Sequence, residues 1–307
     1  MPARATPGHL AMLMAIVAPV AATRGENTSA GKARTFGDML WAWGTVRTDS
    51  EQKDIADLGP ATFVEASAAQ KAKLLGVPNV IMAGSGMPRD DTMALRETER
   101  VSGAAHVVWE IATDDGEHKP PFRYDKTAQR IKLVAEKYRQ VDGVLLDDMT
   151  SLSMKAGFRA EHIRVLREQL PARVKVWGVV YTMNLGQAAV DPVIEALDVI
   201  TLWVWHAKDI AQMEENVGKI ERKSPKKPIV LGLYLYDYGG GRRMPPELMR
   251  QQCELALKLA HQRRVAGVVF LTINNDPEIV RWTIDWIKSV ANQEIGKPVE
   301  SKPAQAK

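Results

Sequence analysis

Eight short apolar runs, spaced along the chain and separated by amphipathic stretches, constrain the fold more than any other feature. They are DMLWAWG (38–44), NVIMAG (79–84), HVVWEIA (106–112), GVLLDDM (143–149), VKVWGVVY (174–181), DVITLWVW (198–205), IVLGLYLYDY (229–238) and GVVFLTI (267–273). Near-continuous hydrophobicity over so few residues marks strands covered on both faces, as in a parallel sheet. The segments between them carry helical spacing. Ile131, Val134 and Tyr138 share one face in 126–140, and Leu248, Leu255 and Leu259 share one in 246–262. Eight strand–helix units with no linker and no internal repeat predict an α/β single domain, a (β/α)8 TIM barrel over residues 36–292. A doubly wound open sheet is the alternative. The long segment 45–78 makes the first unit the least regular.

The ends of the chain read differently. Arg4 precedes the apolar run LAMLMAIVAPVAA (10–22), and Val20 and Ala22 suit positions −3 and −1 of a cleavage site. Residues 1–22 are therefore expected to be a signal peptide and the protein to be secreted or periplasmic. An uncleaved anchor is the alternative, although Pro19 interrupts a run already short for a span. Residues 23–35 are expected to be a flexible segment and 293–307 a disordered tail. No integral membrane span is expected in the mature chain. The net charge of +4 comes mostly from interspersed residues. The one basic cluster, Arg222, Lys223, Lys226 and Lys227, reads as a solvated loop, and no nucleic acid partner is expected. The single cysteine, Cys253, forms no internal disulfide and reads as a small core or surface residue.

Barrels of this kind carry their active sites at the C-terminal ends of the strands. The fourth run ends in Asp147 and Asp148. An extended chain there would send the two to opposite faces, so one would look inward. The third run carries Glu110 and is followed by Asp114 and Asp115. The first holds Trp41 and Trp43, and the fifth ends in Tyr181 with Asn184 beyond. The sixth ends in Trp203, Trp205 and His206, and the seventh in Tyr234, Tyr236, Asp237 and Tyr238. The eighth is followed by Asn274, Asn275 and Asp276. An acidic, aromatic mouth of this kind suits a carbohydrate, because aromatic faces stack on sugar C–H faces while polar groups bond hydroxyls. Trp43, Tyr181, Trp203, Trp205, Tyr236 and Arg242 are the candidate substrate-binding residues. Cleaving a glycosidic bond takes two carboxyl groups, and Asp147, Asp148, Asp237 and Glu110 are the candidates. Each has a plain structural alternative: helix caps for the Asp147–Asp148 pair, a turn for Asp237, core packing for the indoles. GGGRR (239–243) either cradles an anion or is a solvated loop. Scattered histidines give no HxH or HExxH pair, so no metal or other cofactor is expected. A carboxylate-only divalent site built from Asp147, Asp148 and Glu110 stays open.

VDGVLLDDM resembles the strand-four motif of the chitinase-like family 18 glycoside hydrolases, DGxDxDxE. Asp142, Gly143 and Asp147 match it. Leu145 stands where that family has another aspartate, and Met149 where it has the catalytic glutamate. Acids on strands four and seven are also similar to the large retaining-hydrolase clan, whose two residues are glutamates rather than aspartates. The resemblance and the strand-end residues together suggest an exported glycoside hydrolase with Asp148 as general acid/base and Asp237 as the nucleophile or second carboxylate. Asp147 and Glu110 would tune their protonation. A non-catalytic carbohydrate-binding barrel and a metal-assisted lyase or aldolase are the alternatives. If Asp148 and Asp237 do not face each other, the assignment passes to Asp147 with Glu110, or to a binding protein.

Overall fold

The structure is a computed structural model that describes residues 33–46, 59–84, 86–116, 120–271 and 276–296. The expected signal peptide, the first ten residues of the segment after it and most of the expected tail lie outside the described residues. Eight parallel strands close on themselves: β1 (Leu40–Gly44), β2 (Asn79–Met82), β3 (His106–Glu110), β4 (Val141–Leu146), β5 (Lys175–Tyr181), β6 (Val199–Trp203), β7 (Ile229–Tyr234) and β8 (Gly267–Leu271). Each pairs with its sequence neighbours, and β8 returns to β1 through Leu40–Val268, Trp41–Val269 and Ala42–Phe270. The chain is therefore a (β/α)8 barrel, and the open sheet is set aside. The strands are buried almost throughout, as runs covered by helices outside and side chains inside must be.

The helices are α1 (Ala68–Leu75), α2 (Asp91–Arg100), α3 (Asp125–Lys137), α4 (Met149–Lys155), α5 (Ala160–Gln169), α6 (Asp191–Ala196), α7 (Met213–Lys223), α8 (Pro246–His261) and α9 (Pro277–Val290). Local signals set several ends. Ser67 and Gln70 form a capping box at the start of α1, and Gly76 stops it in the left-handed region at φ +69°. Asp90 caps α2. Along α8 the buried face is Met249, Gln252, Cys253, Ala256, Leu259 and Ala260. Leu248 and Leu255, expected on the core face, are only partly covered. The small residues Cys253, Ala256 and Ala260 turn inward, which lets the helix lie close to the sheet. Cys253 is a core residue whose thiol is pushed well up by burial.

The barrel interior is filled by indoles. Trp41 on β1 meets Trp177 on β5 with ring centroids 5.0 Å apart, and Trp43 meets Trp203 on β6 at 5.4 Å. Neither pair is on neighbouring strands, so all four rings lie inside. Room for such bulk comes from glycines at inward positions. A Cβ added at Gly143 would lie 2.7 Å from Trp177 Nε1, at Gly267 3.0 Å from Trp41 Nε1, and at Gly232 2.0 Å from the Trp203 ring. Gly232 is the register partner of Trp203.

Two segments expected to be loose are tied together. Phe36 N–H donates to Gln293 O (2.8 Å), Gly37 N–H to Ala291 O (2.7 Å) and Ile295 N–H to Arg34 O (2.9 Å). Backbone pairing of this sort leaves no apolar periodicity, which is why residues 34–35 and 293–296 read as unstructured. No described helix is long and apolar enough to cross a membrane.

Candidate active site

β4 ends at Leu146, and the chain turns immediately. Gly143 faces the interior, so the alternation carries Leu145 and then Asp147 inward. Asp148 does not continue the strand. It adopts φ +48° and ψ 17°, a left-handed conformation that aspartate tolerates better than most residues, at the N-cap position of α4. This turn replaces the expected opposition of the two side chains. Asp148 N–H donates to Asp147 Oδ1 (2.8 Å), and the Tyr181 hydroxyl donates to Asp148 Oδ1 (2.7 Å). Tyr181 is inward at the end of β5 because Trp177, two turns of the pleat earlier, is inward.

Three carboxyl groups influence one another here. Burial, then the neighbouring Asp148, then Glu110, push the Asp147 carboxyl up to about 7, against a smaller downward pull from the Asp148 amide. Glu110, at the end of β3, is only 7% exposed, and its Oε2 accepts the Gly84 N–H. Tyr181 and Tyr234 are in hydrogen-bonding contact. Burial pushes both phenols well above their usual range, with the other tyrosine or Tyr238 and the Asp147–Asp148 pair adding to it.

Aromatic rings wall this group. Trp205 meets Tyr181 edge-on at 5.5 Å and stacks on Tyr238 at 5.5 Å. Tyr238 in turn meets Tyr234 at 4.5 Å and Tyr236 at 5.4 Å. Trp205, Tyr236 and Tyr238 are half-buried, and so retain surface for a ligand. Trp203 is different. It is buried, and its Nε1 donates to Thr201 Oγ1 (2.9 Å), which donates on to the Gly178 carbonyl. That makes Trp203 part of the barrel packing, with Trp43 against its edge. Trp205 lies beyond the end of β6 rather than on it.

Asp237 sits elsewhere in the chemistry. β7 ends at Tyr234, and Tyr236–Asp237 pairs antiparallel with Arg242–Arg243 as a small hairpin. Asp237 Oδ1 accepts the Ala207 and Gly240 N–H groups, both at 3.0 Å, and Oδ2 accepts Arg242 Nε at 3.1 Å. With 3% exposure and these partners its carboxyl is held below the ordinary range. It ties the hairpin to the loop after β6 through three donors. Arg242 is committed to Asp237. Arg243 forks onto Asp276 (2.7 and 3.0 Å) and reaches Glu278 (2.9 Å). In the GGGRR stretch Arg243 is bonded through three contacts, and Arg242 is bonded to Asp237 through Nε alone.

The remaining strand-end residues are structural. Asp114 caps α3 by accepting the Lys126 and Thr127 N–H groups, and Asp115 accepts the Thr113 hydroxyl. Asn184 donates to Thr150 Oγ1, and Asp276 caps α9. His206 packs on Gly239, where a Cβ would lie 2.1 Å from Nδ1. Asn274 and Asn275 lie outside the described residues. Among the described residues no three His, Cys, Asp or Glu side chains gather in a way that could hold a metal ion. Tyr234 and Tyr238, at the strand end but outside the expected binding set, prove central to the aromatic wall. The alternation in LGLYLYDY was the signal for Tyr234, and the end of the strand after it hid Tyr238.

No family model matches the chain, and no curated protein matches it. Solved structures share its fold. Active domain 2 of a thermostable chitinase from Pyrococcus furiosus superposes with a TM-score of 0.51 at 12% identity, over 84% of this chain and 97% of that one. The spore cortex-lytic enzyme SleL of Bacillus cereus gives 0.51 at 11% identity, over 87% and 77%. A mandelate racemase/muconate lactonizing enzyme-like protein from Rubrobacter xylanophilus gives 0.44 at 11%, and this chain spans 54% of its length. The two superpositions at 0.51 show a shared barrel fold.

Proposed function

We propose that the protein is an exported glycoside hydrolase-like barrel in which Asp147 donates a proton to the leaving glycosidic oxygen. The observation that carries this reading is the convergence of Asp147, Asp148 and Glu110 in one aromatic-walled mouth at the C-terminal ends of the strands. Asp147 keeps its proton near neutral pH because its carboxyl is half-buried beside two other carboxyl groups, the condition a general acid needs. As the glycosidic C–O bond breaks, its oxygen takes the Asp147 proton. A water adds to the anomeric carbon and gives its own proton to Asp148. Tyr181 holds the Asp148 carboxylate in place. The acid role thus passes from Asp148 to Asp147, and Asp237 serves as a loop tie. Trp205, Tyr236 and Tyr238 offer faces for sugar rings. The apolar run at 10–22 supports export, and the shared fold with a chitinase makes chito-oligosaccharides the first substrates to try.

One observation favours a second reading, a carbohydrate-binding barrel without turnover. Met149, at the position of the family 18 glutamate, is buried, and its Sδ packs over Gly178. A buried thioether stands where that family has its proton donor. Hydrolysis of chito-oligosaccharides and their aryl glycosides separates the two: product release supports the enzyme, and saturable binding without product supports the binding barrel. Under the enzymatic reading, Tyr181→Phe removes the one phenol bonded to Asp148 and lowers kcat/KM by about 10-fold while the protein stays folded. An unchanged kcat/KM would remove Tyr181 from the mechanism.

A further inference from the structure

The opposite end of the barrel holds a cavity of about 530 Å³ that the proposed chemistry does not use. Its walls come from the N-terminal ends of six strands. Trp41, Asn79, His106, Lys175, Trp177, Val199 and Val230 face it, with Arg34, Asp38, Asp142 and Arg173 at the rim. Its size falls within the usual range for small-molecule sites, about 300–1,000 Å³. The end of a barrel is ordinarily packed with side chains. Here two indoles meet edge to face and leave a large space beside them.

The polar groups of this cavity are not equally committed. Arg173 is spent on the carbonyls of Ala135, Arg139 and Val141. Asp142 is paired with His106 at 2.6 Å, and Asp38 accepts from Thr35 N–H and Oγ1 at 2.8 and 2.9 Å. Both carboxylates at the rim therefore have partners. Lys175 gives one bond to the Ala172 carbonyl, and Arg34 one to Ala266, so each ammonium or guanidinium keeps further N–H groups. The balance of the rim is cationic. On the wall, Asn79 Nδ2 donates to the carbonyls of Asp38 (3.1 Å) and Leu40 (2.9 Å), which fixes the orientation of the amide. Its Oδ1 is buried and has no partner.

We propose that this N-terminal mouth binds a small aromatic carboxylate. Its carboxylate meets Lys175 and Arg34, and its ring lies against Trp41 and Trp177. The site is separate from the mouth at the other end of the strands and does not depend on the hydrolase reading.

Calorimetric titration of the full chain with 4-hydroxybenzoate tests this. The expected result is saturable one-to-one binding in the range of about 0.1–1 mM. An Arg34→Gln, Lys175→Gln double variant, altered only at exposed side chains and checked for wild-type thermal unfolding, binds about 10-fold more weakly or worse. Asp148→Asn, at the opposite mouth, binds like wild type. The proposal is overturned if wild type shows no saturable binding up to about 10 mM. It is equally overturned if the double variant binds as wild type does, or if Asp148→Asn is the variant that loses binding.

Discussion

Asp147→Asn is expected to abolish most of the hydrolytic activity and, at alkaline pH, to stabilise the protein. Loss of a general acid costs about 10²- to 10⁴-fold in rate. The stability effect follows from the raised pKa. Asp147 titrates at about 7 in the folded chain against an ordinary value of 3.8. Between those values the folded state holds a proton that the unfolded state has released, so stability falls as pH rises through this window. Above it the folded protein bears a half-buried, repelled carboxylate. A neutral amide of the same shape removes that penalty, on the order of 2 kcal/mol once water at the half-buried mouth is allowed for. The variant and wild type should unfold at nearly the same temperature at pH 4 and diverge by pH 8, with the variant higher. In the wild type, kcat/KM should fall above about pH 7 as the acid loses its proton. A variant that is inactive but no more stable at pH 8 would mean that Asp147 is not the strained acid. A stabilised variant of full activity would place the chemistry elsewhere.

Gly232→Ala is expected to destabilise the barrel by about 1–3 kcal/mol, a drop of roughly 2–12 °C in melting temperature. The added Cβ would stand 2.0 Å from the Trp203 ring, which is buried and wedged between Trp43 and Tyr234. The indole has nowhere to retreat, and its hydrogen bond to Thr201 holds it further. Gly59→Ala is the control. Nothing lies within 4 Å of the new methyl there, and φ is −147°, so no loss is expected. Thermal unfolding of the two variants checks both. Equal melting temperatures would show that the interior yields more easily than the packing implies.

The barrel was legible because eight apolar runs and their intervening helices each follow from simple periodicity. Strand lengths were less so. IVLGLYLYDY reads as one run, yet the strand stops at Tyr234 and a separate hairpin begins at Tyr236. That break places Asp237 in the hairpin, bonded to Ala207, Gly240 and Arg242, which no alternation rule reveals. The pair Asp147–Asp148 was visible as two acids after a buried strand. What was hidden was the left-handed turn at Asp148, which bonds its N–H to Asp147 Oδ1 and leaves its carboxylate on the Tyr181 hydroxyl. The role of the glycines opposite the indoles was not legible in the sequence. Only their register with Trp41, Trp177 and Trp203 explains them.

The most direct test of the account is a pH titration of the Asp147 carboxyl carbon by NMR in protein carrying ¹³C-labelled aspartate, assigned by its loss in Asp147→Asn. The account predicts a midpoint near 7, moving down when Glu110→Gln removes one neighbouring carboxyl group. A midpoint in the ordinary carboxylate range, near about 4, and unmoved by that substitution, would contradict it.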